Sequence, residues 1–92
     1  MSFPFTEIKE GDLRRRTFSG NVPVDELAWH RDAEDRVIRV VESDGWYFQR
    51  DDELPIEMRP GDEIMIRRNE WHRVIRRRDS RLILEIRHSP TG

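Results

Sequence analysis

Arg59-Pro60-Gly61-Asp62-Glu63-Ile64-Met65-Ile66-Arg67-Arg68-Asn69-Glu70-Trp71-His72-Arg73-Val74 reads as turn, strand, turn, strand. Pro60 presets φ for a tight turn, and Gly61 supplies a positive φ at no steric cost. Ile64 to Ile66 is a short apolar run of the kind a buried strand needs. Arg67 to Glu70 is polar, with Asn69 as the turn former. Trp71 and His72 open the next strand, which Arg73 to Arg76 continues.

Outward from this stretch the pattern repeats. Toward the C-terminus, Arg77 to Ser80 turns and Leu82 to Arg87 forms a last strand, followed by a loose tail from Ser89. Toward the N-terminus, Leu54 to Met58 is a short strand, Asp51-Asp52-Glu53 an acidic turn, and Trp46 to Arg50 an aromatic strand. Trp46 and Phe48 fall on one face of it, Tyr47 and Gln49 on the other. Ser43-Asp44-Gly45 is expected to be a hairpin turn, after a β-branched strand from Arg36 to Glu42. Asp25 to Asp35 has helix-favouring composition but poor helical spacing of its apolar residues, and is expected to be extended. Asn21 to Val24 contains Pro23 and reads as a loop or edge strand. Arg14 to Ser19 is extended, Glu7 to Asp12 is polar and turns at Gly11-Asp12, and Ser2 to Phe5 is an arm whose Phe3 and Phe5 need burial. Seven or more short strands with turns every eight to twelve residues, and no long helical pattern, predict an all-β sandwich or barrel.

The chain has 92 residues, no Cys and a formal net charge of −2, and 39% of its residues are charged. That length makes one domain with a thin core. Disulfides, thiolate chemistry and Cys-zinc sites are excluded. Near-neutral net charge does not point to nucleic acid or to a membrane surface. No apolar run reaches the length of a bilayer span and no signal-peptide pattern opens the chain, so a cytoplasmic protein is expected. Sixteen of the seventeen Lys and Arg residues are Arg. The runs Arg14-Arg15-Arg16 and Arg76-Arg77-Arg78 lack interleaved aromatics and are assigned to solvated turns or to a subunit surface rather than to nucleic acid.

With these residues in place, the chain resembles the small single-domain cupins. The resemblance runs from about Leu27 to Arg87. Pro60-Gly61-Asp62, Ile66 and His72 match the second cupin motif, and the first is matched in part. His30-Arg31-Asp32 stands where His-x-His is usual, Val37 to Val41 is the strand, and Glu42-Ser43-Asp44-Gly45 stands at the closing Glu-Gly-x-Gly, with Ser43 in place of the first Gly. The usual Glu is replaced by Arg36 or, under the longer spacing, by Val37. The resemblance implies an all-β, cupin-type double-stranded antiparallel jelly-roll barrel over residues 1–92, with 1–24 as arm and edge strands and 25–88 as barrel core. It also implies a mouth that commonly binds a divalent metal, and a homodimer.

Strand alternation puts His30 and Asp32 on one face, with Glu34 joining them if no bulge intervenes. If His72 projects from the neighbouring strand, two imidazoles and a carboxylate converge, a set that suits Fe(II), Mn(II), Ni(II) or Zn(II). Glu34 is the substitute ligand or general base. A metal-free mouth stands beside this reading with equal weight. In it Arg36, His30 and His72 hold a small polar or anionic ligand, and catalysis is absent. Trp29, Trp46, Phe48 and Trp71 are assigned to the core, His88 to the surface, and Arg36 to a strand end in solvent unless it faces the mouth.

Overall fold

The computed structural model describes residues 4–23 and 27–88. Phe3, the Asp25 end of the extended stretch and the Ser89 tail lie outside them. Eight strands follow one another: β1 Phe5–Glu10, β2 Leu13–Phe18, β3 Arg36–Glu42, β4 Trp46–Arg50, β5 Ile56–Glu57, β6 Glu63–Ile66, β7 His72–Arg76 and β8 Leu82–His88. They form a five-stranded antiparallel sheet, β1-β2-β8-β3-β6, and a three-stranded one, β5-β4-β7. The described residues contain no helix long and apolar enough to cross a membrane.

Alternation explains which side chains meet between the sheets. Phe18 of β2, Ile38 and Val40 of β3, Ile66 of β6 and Leu82, Leu84 and Ile86 of β8 are buried from the large sheet. Trp46 and Phe48 of β4 are buried from the small one. Trp46 is fully buried, lies 5.6 Å from the ring of Phe18, and donates its indole N–H to the Ser80 carbonyl at 2.8 Å. The same parity turns Arg16, Arg36 and His72 inward, because each shares a face with those buried residues.

Several expectations are corrected. Ser43-Asp44-Gly45 is not a hairpin: β3 and β4 belong to different sheets, so the segment is a corner between layers. Gly45 sits at φ 78°, and a Cβ there would stand 2.6 Å from Cγ of Arg78, so the corner is built for glycine. β1 runs on to Glu10 despite its polarity, since an edge strand with one ladder partner tolerates charged residues on its open side. The expected strand at Leu54 to Met58 shrinks to two residues beside Pro55. The described part of Asp25 to Asp35 makes no regular strand and touches the ladder only through a bridge between His30 and His72. The loop before β7 takes two of its polar groups: Asn69 donates its backbone N–H to the Asp32 carbonyl at 2.6 Å, and Arg68 its backbone N–H to the Asp35 carboxylate at 2.7 Å.

Trp29 and Trp71 are not core residues, at 39% and 43% exposed. Each precedes an inward-facing histidine and so points outward. Arg73 lies over Trp29 at 4.6 Å and Arg31 over Trp71 at 5.2 Å. The arginine run at the far end is occupied within the chain. Arg76 pairs with Asp79 at 2.5 Å, Arg78 with Asp44 at 3.3 Å, Arg81 with Glu42, and Arg77 covers Tyr47.

Candidate functional site

Two turns with left-handed backbone flank β6, and the second of them, at Asn69, lies at the open end of the barrel. Gly61, at φ 94°, closes the turn before β6; its N–H donates to the Val40 carbonyl at 2.8 Å, and Val40 N–H donates to the Asp62 carbonyl at 2.9 Å. Asn69, at φ 62°, is one of the residue types that enter this region readily, and its turn delivers His72 into β7. Because the same Asn69 N–H holds the Asp32 carbonyl, one loop positions a carboxylate and an imidazole together.

His30 and His72 exchange backbone hydrogen bonds at 3.0 and 2.9 Å, and their rings meet edge-on with centroids 4.2 Å apart. His72 is buried, whereas His30 stands at the rim. Nδ1 of His72 lies 2.8 Å from the Glu70 carbonyl and Nδ1 of His30 lies 3.2 Å from the Ala28 carbonyl. A carbonyl can only accept, so both Nδ1 atoms carry the proton and both Nε2 atoms are left to the site. Nε2 of His72 is 3.3 Å from Oδ2 of Asp32. Oδ1 of Asp32 is 3.5 Å from the Arg36 guanidinium, while Oδ2 is buried and accepts no hydrogen bond. One donor atom from each of His30, Asp32 and His72 fits within 4.8 Å of the others.

Glu34 does not join this group. It faces His88, 2.5 Å from its Nδ1, at the end of β8. His88 is accordingly half-buried rather than a free surface residue. The absence of a regular strand beyond His30 breaks the alternation that would have carried Glu34 inward. Arg36 is turned into the barrel, since β3 places it on the face of Ile38 and Val40. Arg16 is the residue that sequence reasoning misses. It lines the same cavity, pairs with Glu7 at 2.8 Å and covers the ring of Phe5 at 3.8 Å. The signal was present in its parity with Phe18, but the flanking Arg14 and Arg15 disguised it as a solvated run. These polar groups open onto a cavity of about 410 Å³ between the sheets.

The electrostatics favour an ionised Asp32 beside a neutral His30. A hydrogen bond donated by Nε2 of His72, in the state where that nitrogen carries a proton, holds Asp32 below the usual carboxylate range; burial opposes this, and the Arg36 charge adds to it. His30 opens to solvent on one side, yet desolvation against the rim pushes it below its ordinary value of 6.5, with the proximity of His72 adding to the shift. Both shifts make the metal-free protein less stable in acid. For His30 the unfolded state binds the proton more readily, so stability falls as pH drops below about 6.5. For Asp32 the stability present above its unfolded value is lost as pH falls through the depressed folded one. The melting temperature of metal-free protein is therefore expected to fall in two stages between pH 7 and pH 3, and Asp32→Asn is expected to remove the lower stage. A flat profile across that window would contradict both shifts.

The fold and the site define a class, an antiparallel two-sheet jelly-roll barrel with a histidine and carboxylate cluster at one end. The chain has the cupin fold. A cupin domain from Bordetella pertussis Tohama I superposes with a TM-score of 0.63 at 16% identity, over 98% of this chain and 99% of that one. A sugar phosphate isomerase from a cupin superfamily, from Silicibacter pomeroyi DSS-3, gives 0.69 at 16% identity, over 96% of this chain and 60% of that one. FeII HppE gives 0.62 at 12% identity, over 92% of this chain and 48% of that one. No protein-family model and no curated protein sequence matches the chain.

Proposed function

We propose that the barrel mouth is a divalent metal site, with His30, Asp32 and His72 as protein ligands, at which a small polar or anionic molecule binds beside Arg36. One observation carries this reading: Oδ2 of Asp32 and Nε2 of His72 face each other at 3.3 Å, and neither brings a proton once Nδ1 of His72 has donated to Glu70. Two lone-pair atoms at that distance need a proton or a cation between them. The second imidazole and the lone carboxylate complete a donor set suited to Fe(II), Mn(II), Ni(II) or Zn(II). Both histidines are already oriented through their Nδ1–H groups, as metal-ligating histidines commonly are. The solved structure of FeII HppE on the same fold agrees with this reading.

When bound, such a cation supplies Lewis acidity to an oxygen of the ligand. The protein's own groups do the rest. Arg36 fixes the other oxygen of Asp32 and leaves its buried Nε–H without a partner. That unpaired donor fits an incoming anion, and the apolar walls keep the interaction in low dielectric. The competing state is a metal-free mouth with a proton on Nε2 of His72.

Elemental analysis of freshly purified protein, repeated after dialysis against each of the four ions, tests the proposal. Near-stoichiometric metal is expected with at least one of them. Protein that refuses all four ions would leave the protonated, metal-free mouth as the answer. Arg36→Glu is a second test, because it exchanges a cation next to Asp32 for a further carboxylate. Metal affinity is expected to rise by roughly tenfold or more, from lost repulsion and an added donor. Unchanged affinity in a Mn(II) titration would place Arg36 outside the metal's field.

A further inference from the structure

We infer that the ligand of this mouth is a small carboxylate with an apolar body, and not a sugar or a sugar phosphate. The inference rests on the mouth being the binding site proposed above and names the chemistry it takes. Polarity in the cavity is confined to one end. Arg36 touches Asp32, Asp32 touches His72, and His72 touches His30, and Arg16 lies within electrostatic reach of Arg36 and Asp32, so these five make up the polar lining. Away from it the wall is hydrocarbon and aromatic, with Phe18, Ile38, Phe48, Ile66, Leu84 and Ile86 among the lining residues. A sugar carries hydroxyls around its whole ring and would leave most of them unpaired against that wall, at a cost for each. A phosphate needs several donors converging on its oxygens, usually backbone N–H groups of a glycine-rich turn or a helix start. No glycine lines the cavity, and the described residues form no helix.

A carboxylate asks for less and finds it. The buried Nε–H of Arg36 has no partner, and its guanidinium is directed to one side by Asp32. Arg16 lines the same space and adds a second positive charge, although Glu7 takes its Nε–H. With a divalent metal ion in place the positive charges exceed those of the two carboxylates, Asp32 and Glu7, which favours an anionic head. The volume of about 410 Å³ lies near the lower end of small-molecule sites, about 300–1,000 Å³. A single aromatic ring or a short alkyl chain suits it. The Phe48 ring, stacked at 5.8 Å from His72, gives such a body a face to pack on next to the head.

The experiment is calorimetric titration of the full chain, Mn(II)-loaded and metal-free, with acetate, butanoate, hexanoate and phenylacetate, and with glucose 6-phosphate and inorganic phosphate. Affinity is expected to rise about three- to fourfold per methylene along the alkyl series. Phenylacetate should bind roughly tenfold or more tightly than acetate, and both phosphates more weakly than hexanoate. Arg36→Gln should weaken hexanoate by roughly ten- to a hundredfold, the worth of a charge-assisted hydrogen bond. A melting curve checks that this variant folds, and the alkyl series on the native chain decides the matter if it does not. A flat series, or glucose 6-phosphate binding more tightly than hexanoate, overturns the inference while leaving the metal titration to stand alone. Acid binding with the expected chain-length gain in protein that refuses Mn(II) upholds the ligand class and removes the metal. Protein that takes neither metal nor acid overturns both.

Discussion

Asp32→Asn is expected to lower Mn(II) affinity by at least about a hundredfold while leaving the barrel folded. Losing a group that merely orients a metal ligand typically costs about 10–100-fold, so losing the only carboxylate among the ligands should exceed that. The substitution keeps shape and volume and removes only the charge. Its amide N–H can donate to Nε2 of His72, the atom that now faces Oδ2 at 3.3 Å, so the side chain retains a partner in the metal-free state. His72→Ala should also abolish binding, but it empties a buried position and so mixes metal loss with packing loss. Glu34→Gln is the control. Glu34 faces His88 and stands outside the ligand group, so its affinity should match that of the native chain. Wild-type Mn(II) affinity in Asp32→Asn would take the carboxylate out of the site.

Trp46→Ala is expected to destabilise the protein by about 3–5 kcal/mol, a large part of the total of about 5–15 kcal/mol available to a domain. Trp46 is fully buried and is the point where the small sheet presses on the large one, against Phe18. Truncation opens a cavity between the layers that neither sheet can close without bending its ladder. It also leaves the Ser80 carbonyl without the indole N–H that now satisfies it. Trp46→Phe separates the two contributions. It keeps most of the packing and loses the hydrogen bond, so it should cost less than the alanine variant. Urea unfolding with an unchanged slope would give both values directly. A loss under about 1 kcal/mol for Trp46→Ala would mean that the sheets are not held together at this point.

The sequence by itself determined most of the strand pattern, the two turns that flank β6 and the facing of most side chains. Gly61 and Asn69 sit where left-handed backbone is needed, and alternation, imperfect in β3 and clearer in β4, points to the inner faces. The inward direction of His72 on β7 stayed conditional on which strand became its neighbour. Arg16 and Arg36 obey the same parity, so their inward facing was legible, although charge argued against it.

Only the tertiary structure decided the rest. The described part of Asp25 to Asp35 lacks a ladder of its own, so nothing local says where His30 and Asp32 point. Their positions come from the His72 backbone and from Asn69, roughly forty residues away. Glu34 is lost to the site through its contact with His88, at the far end of the chain, whereas Arg16 is held at the site by Glu7, its partner across the β1–β2 hairpin. The corner at Ser43-Asp44-Gly45 has the composition of a hairpin, and it turns between layers because β3 finds partners in β8 and β6. Alternation is a property of each strand and can be read locally. Which strands become neighbours depends on burying both inner faces at once, and that is settled only when the whole chain closes around Trp46.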